Sequence, residues 1–367
     1  MSSRSARNWL WGFGFSLSLA TATFYAYQLS HFLNGEPVKR RFHDPLHIAI
    51  IDWAGYYPIA VAKELGLFEQ YGLNVEVRLA PSLIEMNDWI RTGKIQAATG
   101  VLADFYLLRD LGAPVQMIMA TDYSLGDTLL AGKHIRNVHD LIGKRVGIAE
   151  MNSWAEYFIF ELLRTAGVDP EKIHFRTFAP ERIPKAIHEG EIDAGHTWDP
   201  VLSAGIKSGL RPILSSKLRP QLVISGLAVR EEILGITDGG YSVDVGLVQA
   251  VLEAQKIATD DPVRFARTAQ RFLFTNNVEW SESSIIESMA RNIELCDLKK
   301  NTEGFAANGV FRVETENISN FFEARGVTST KIAAVDLLND NAIRRIEDEA
   351  TLHAGKATIE AGKTVPN

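Results

Sequence analysis

The chain of 367 residues has a single cysteine, Cys296. That excludes an intrachain disulfide, a thiolate zinc site and a lipid-anchoring cysteine near the N-terminus, and it leaves the thiol as a small apolar filler. No Lys/Arg-rich block occurs, and 45 Asp and Glu against 38 Lys and Arg give a formal net charge of -7. Without a basic face to neutralise phosphates, nucleic acid is not a partner. Catalytic signatures are missing too: there is no G-x-S-x-G elbow, no H-E-x-x-H, no G-x-G-x-x-G after a strand and no C-x-x-C. The run GEIDAGHT (Gly190–Thr197) imitates a phosphate loop in its glycine spacing, but His196 stands where a lysine must reach the phosphates. The nine histidines are scattered, with no two at metal-ligand spacing on one helix face. His47 and His174 read as structural histidines of strands, and neither a metal nor another cofactor is expected.

With 46% hydrophobic and 23% charged residues, the chain has an ordinary globular composition and the length for two domains. The first thirty residues differ from the rest. Arg4 and Arg7 precede an uncharged stretch from Trp9 to Leu29, which contains the small-x-small pattern Ala20-Thr21-Ala22. Residues 1–33 therefore read either as a cleaved signal peptide or as a membrane anchor spanning residues 9–29. Both readings put the remainder outside the cytoplasm, in the periplasm. Asn34 to Pro45 is a polar spacer.

From His47 onward, short apolar runs alternate with amphipathic helical ones. HIAII (His47–Ile51) is a buried-strand run, Pro58 to Leu67 has helical spacing, and NVEVRL (Asn74–Leu79) alternates like a strand. This is β-α-β, the unit of a parallel sheet. The plan recurs. AKELGLFEQYGLNVEVRL followed by IRTGKIQAATG has a counterpart in FELLRTAGVDPEKIHFRTF followed by IHEGEIDAGHT. Gly72 and Gly167 are the expected helix stops, and the spans Gly72 to Gly93 and Gly167 to Gly190 are about 21 and 23 residues. Two α/β lobes follow: residues 46–127 with 222–345 as lobe 1 and 128–221 as lobe 2, the crossings being placed at Thr128–Ala131 and Leu222–Val229. From about Tyr241 the chain is mostly helical, with apolar stripes that pack on the first lobe, and residues 350–367 are expected to form a loose tail.

Ligands of open α/β sheets sit beyond the carboxyl ends of the strands. Five such loops hold an aromatic, an acid or both. They are Asp52 to Pro58, Val101 to Phe105, Thr121 to Ser124, Glu150 to Trp154, and the start of WDPVL (Trp198–Leu202). Candidate ligand-binding residues are Trp53, Tyr56, Tyr57, Asp104, Asp122, Tyr123, Asn152, Ser153, Trp154, Trp198 and Asp199. Aromatic faces stack on flat ligands and attract cations, carboxylates accept hydrogen bonds from NH groups, and Asn152 and Ser153 start an amphipathic helix whose free backbone NH groups can hold an anion or carbonyl. None of these loops contains Arg or Lys. An organic ligand with a planar or cationic part, such as a pyrimidine, is expected ahead of nitrate or bicarbonate.

Three stretches carry a resemblance. DWAGYYPIAVAKELGLFEQYGLNVE (Asp52–Glu76), LIGKRVGIAEMNSWAEYFIFELLRTAGVDP (Leu141–Pro170) and EGEIDAGHTWDP (Glu189–Pro200) resemble elements of the periplasmic solute-binding proteins of the nitrate/sulfonate/taurine and thiamine-precursor ABC transporter group. The resemblance runs from about residue 46 to 235 and more weakly beyond. It implies an α/β fold of the two-lobed, type II-like periplasmic binding protein kind. Each lobe is then a mixed, mainly parallel sheet flanked by helices, with a helical C-terminal part. It further implies hinge closure over a small molecule, delivery to an ABC transporter permease in the inner membrane, a monomeric state, and contacts from Trp53, Tyr57, Asp122, Ser153, Trp198 and Asp199. An alternative is a membrane-anchored ligand sensor or scaffold. A more distant one is an enzyme like the eukaryotic pyrimidine synthases of the same fold, whose cysteine-rich cluster this chain lacks.

Overall fold

In the computed structural model, the residues described are 45–362 apart from 239–240 and 329–330. The expected leader over residues 1–33 lies outside them. The first run of elements is Leu46–Ile50 (β1), Tyr57–Glu64 (α1), Val75–Leu79 (β2), Leu83–Arg91 (α2), Ala97–Val101 (β3), Leu102–Asp110 (α3) and Val115–Ser124 (β4). The second is Thr128–Ala131 (β5), Arg145–Ile148 (β6), Trp154–Thr165 (α4), His174–Thr177 (β7), Ile183–His188 (α5), Ala194–Thr197 (β8), Val201–Lys207 (α6) and Arg211–Ser215 (β9). The chain then returns through Ile224–Arg230 (β10) and a small ribbon, Thr237–Asp238 (β11) with Tyr241–Ser242 (β12), to its C-terminal part. That part comprises Val243–Asp260 (α7), Pro262–Thr275 (α8), Glu282–Asn292 (α9), Ile293–Leu295 (β13), Leu298–Phe305 (α10), Val310–Ala324 (α11) and Asn341–Gly362 (α12).

The strands form two sheets, ordered β13-β4-β10-β3-β1-β2 and β7-β6-β8-β5-β9. The internal repeat is visible in this order: β10-β3-β1-β2 of lobe 1 corresponds to β5-β8-β6-β7 of lobe 2. In each set the first three strands of the repeat pair in parallel, and the strand arriving from the other lobe runs antiparallel beside them. Parallel pairing is thus confined to the β-α-β units, and the sheets as wholes are mixed because the chain crosses between lobes twice. The crossings themselves are Leu125–Asp127 and Ser216–Val223. The apolar runs expected to cross are largely the strands on either side, β5 and β10.

Local chemistry explains the helix ends. Gly72 and Gly167 adopt φ of 73° and 75°, the left-handed conformation that stops a helix at little cost for glycine alone. Ser82 and Ser153 cap α2 and α4 by accepting backbone N–H bonds. The apolar stripes of α7 and α8 pack on α1, as core packing requires. One difference concerns the tail. Helix α12 continues to Gly362, beyond the point where a loose tail was expected from residue 350; the alanines Ala350, Ala354, Ala357 and Ala361 favour helix there. No described helix is long and apolar enough to cross a membrane.

Helix α11 belongs to lobe 1 by sequence order of its neighbours, yet it also packs on α4 of lobe 2. Phe321 meets Tyr157 and Phe160 at ring distances of 5.2 and 5.7 Å. Arg219, on the second crossing, bridges Glu161 of α4 at 3.2 Å and the buried Glu314 of α11 at 2.9 Å, and the Tyr157 hydroxyl donates to Glu314. Arg325 pairs with the fully buried Glu156 at 2.5 Å. This packing fixes the start of α4, where sequence reasoning put part of the site.

Candidate functional site

On the lobe 1 wall, Asp122 is fully buried near the end of β4. Its carboxylate accepts from Trp53 Nε1 at 3.2 Å, from Thr121 Oγ1 at 2.9 Å and from the Ser225 hydroxyl. Burial pushes its carboxyl up to about 6 although these three donors favour the charged form. Tyr56 is buried beside it and also hydrogen-bonds Ser225; burial, then the Asp122 charge, raises its hydroxyl well above the ordinary value. Gly55 makes the close approach possible. A Cβ there would lie 2.1 Å from Asp122 Oδ2 and 2.6 Å from Trp53 Nε1. Asp104, in the first turn of α3, accepts the backbone N–H of Val101, and burial holds its carboxyl up at about 7. The charge of Glu150, which precedes α4 in lobe 2, adds to that rise.

On the lobe 2 wall, Trp154 packs against Trp198 and His196 at ring distances of 6.0 and 5.3 Å. Ser153 accepts Ala155 N–H at 3.2 Å and donates to the Glu150 carbonyl at 2.7 Å. Asn152 holds φ 58°, a left-handed conformation that Asn tolerates better than most residues, and its N–H donates to Glu156 at 2.6 Å. Asp199 Oδ1 accepts the Ser203 N–H at 2.9 Å and the Ser203 hydroxyl at 2.5 Å, while Oδ2 accepts Asn292 Nδ2 of lobe 1 at 2.6 Å.

Of the eleven expected residues, Trp53, Tyr56 and Asp122 meet on lobe 1, Trp154 and Trp198 meet on lobe 2, and Asp199 reaches Asn292 across the lobes, while Tyr57 and Tyr123 have other partners. Tyr57 is fully buried, donates to Asp52 at 2.5 Å and meets Trp280 edge-on. Tyr123 packs on Phe311 with its hydroxyl at Cys296, because alternation along β4 sends it to the face opposite Asp122. Burial also pushes the Cys296 thiol well up, in keeping with an inert filler.

Sequence reasoning missed Asp127 and His196. His196 is fully buried on β8, and its Nε2–H donates to Asp127 Oδ1 at 2.9 Å while the Ser124 hydroxyl donates to Oδ2 at 2.5 Å. Its Nδ1 has no partner. A polar residue inside the apolar run AGHT was the available signal. Asn292 had none, being a helix-end residue distant in sequence from every loop considered.

The walls are in contact. The space left between Ala103, Trp154, Tyr157, Phe158, Val223 and Ile318 is about 10 Å³, no more than one water. A larger groove of about 740 Å³ lies on lobe 1 between Glu64, Arg271, Phe274 and Trp280. It is built by one lobe and holds none of the eleven residues, so its size alone does not make it the site. Among the described residues, no group of three or more His, Cys, Asp or Glu could hold a metal ion.

Residues 53–211 match the NMT1/THI5 like family model. Among proteins of known name, the chain is 24% identical over 227 residues to the nitrate import ATP-binding protein NrtC of Synechococcus elongatus, covering 56% of this chain and 34% of NrtC. The chain thus spans about a third of that relative's length. Among solved structures, the ligand-binding component of an ABC-type import system from Staphylococcus aureus superposes with a TM-score of 0.65 at 15% identity, over 82% of this chain and 98% of that one. The periplasmic aliphatic sulphonate binding protein SsuA of Escherichia coli gives 0.64 at 16% identity, over 79% and 96%. Over residues 53–211 the chain is thus similar to the NMT1/THI5 like family, and the described residues have the two-lobed fold of the solved periplasmic substrate-binding proteins.

Proposed function

We propose that this protein is the extracytoplasmic binding component of an ABC importer. It takes a small organic molecule between its lobes, closes over it by bending at Leu125–Asp127 and Ser216–Val223, and delivers it to a membrane permease. The observation that carries this reading is that both walls of the cleft are aromatic and acidic. Trp53, Asp104 and Asp122 come from one lobe and Trp154, Trp198 and Glu150 from the other, on a fold whose solved relatives are ligand-binding components. Such walls suit a planar ring or a protonated nitrogen. The buried carboxyls of Asp104 and Asp122 are held up at about 7 and about 6, and a cation beside them relieves the cost of ionising them. None of these side chains is an Arg or Lys that would favour an anion. The aromatic rings and carboxyls of the two walls support a binding role.

The reading is tested by thermal unfolding against pyrimidines, thiamine, amines, taurine, alkanesulfonates, nitrate and bicarbonate. A ligand at about 100 times its dissociation constant adds roughly 2.7 kcal/mol. A selective rise with a planar or cationic ligand is expected. A rise with nitrate or a sulfonate alone contradicts the ligand class, and no rise with any of them contradicts the binding role.

A further inference from the structure

The Asp199–Asn292 hydrogen bond joins the two lobes at the first crossing. Asp199 follows β8, which pairs with β5 on the lobe 2 side of the crossing, and Asn292 precedes β13, which pairs with β4 on the lobe 1 side. Asn292 is itself held by the crossing strand: its backbone carbonyl accepts Leu125 N–H at 2.8 Å. Gly126 leaves the room for it, since a Cβ there would lie 2.8 Å from Asn292 Cβ and 3.1 Å from Trp53 Cη2. On the other side, Asp199 Oδ1 is engaged twice by Ser203, which leaves Oδ2 for Asn292 at 2.6 Å.

We propose that Asn292 is a positioning residue of the cleft: it engages Asp199 across the crossing and holds the lobes in their closed arrangement. Asp199 then acts as one half of a latch and not as a ligand contact, its oxygens being occupied within the protein. A charge-assisted hydrogen bond of ordinary strength favours the closed form by about ten- to a hundredfold. The latch rests on the binding reading only for its consequence, which is that apparent ligand affinity scales with the closed fraction.

The test needs no ligand. Ile84 and Glu181 are exposed on segments after β2 and β7, the edge strands farthest in sheet order from the crossings, so Ile84→Cys and Glu181→Cys accept a pair of spin labels while the buried Cys296 does not. The interlobe distance distribution of the labelled full chain is expected to be short. Asn292→Ala and Asn292→Asp shift it to longer distances, and the swap Asp199→Asn with Asn292→Asp, which restores one amide donor and one carboxylate, returns it to the short one. Thermal unfolding checks that each variant is folded. An unchanged distribution in folded N292A and N292D, or a swap that stays as long as N292D alone, overturns the latch. Because no ligand is present, failure of the latch leaves the binding role standing, and a ligand scan without a hit leaves the latch standing.

Discussion

Replacing Gly55 by alanine tests whether the Trp53–Asp122 pair depends on a bare backbone between them. Gly55 has no positive φ, so backbone conformation costs nothing on substitution; the whole effect is contact. The new methyl would lie 2.1 Å from Asp122 Oδ2, 2.5 Å from its Cγ and 2.6 Å from Trp53 Nε1, all below any real Cβ contact. Asp122 is fully buried and Trp53 nearly so, so neither can swing into solvent without exposing apolar surface. Overpacking of this kind costs about 1–3 kcal/mol, and breaking a hydrogen bond to a buried charged group about 1.5–3 kcal/mol more. We expect a loss of about 3–5 kcal/mol in urea unfolding and a melting point lowered by about 6–15 °C. Gly72→Ala is the control. Nothing lies within 4 Å of its Cβ position, but φ is 73°, so a cost of about 1 kcal/mol is expected from conformation alone. If Gly55→Ala costs no more than Gly72→Ala, the close approach at the site is wrong.

Trp198→Ala is expected to weaken ligand binding by about 1–3 kcal/mol if the ring stacks on the ligand, measured by calorimetry with the hit from the ligand scan. His196→Phe removes the Nε2–H donor and leaves Asp127 with Ser124 alone, so unfolding free energy should fall by about 1–3 kcal/mol while the aromatic packing with Trp154 survives. The pH dependence has a definite sign. The folded Asp104 carboxyl, held up at about 7 by burial, binds a proton more tightly than the unfolded one near 3.8. Its contribution is therefore complete below about pH 4 and is lost as pH rises through about 7. Asp104→Asn should flatten that part of the stability profile, and a variant that keeps the wild-type slope refutes the assignment.

Fold and site were legible to different degrees. The β-α-β repeat, its helix-stopping glycines and the cleft loops after strands could be read because they rest on local rules of periodicity, left-handed backbone and strand-end geometry. The rule that strand ends carry function picked out residues that touch one another, Trp53 with Asp122 on one lobe and Trp154 with Trp198 on the other. It does not say which way a side chain points: Tyr57 meets Asp52 and Trp280, and alternation along β4 turns Tyr123 to Phe311. Asn292 was invisible for a different reason. It meets Asp199 only because β13 returns to the edge of the first sheet beside β4, a pairing between segments about 170 residues apart in sequence. The same holds for Arg325 and Glu156, an ion pair that needs α11 laid across α4.

The most direct measurement is titration calorimetry of the full chain with the ligand giving the largest thermal shift, repeated on Trp53→Ala and Trp198→Ala, one from each wall. One site per chain is expected, with affinity reduced in both variants and a negative heat-capacity change from apolar burial. Binding that is unchanged in both variants while each remains folded would contradict the claim that the ligand lies between the lobes.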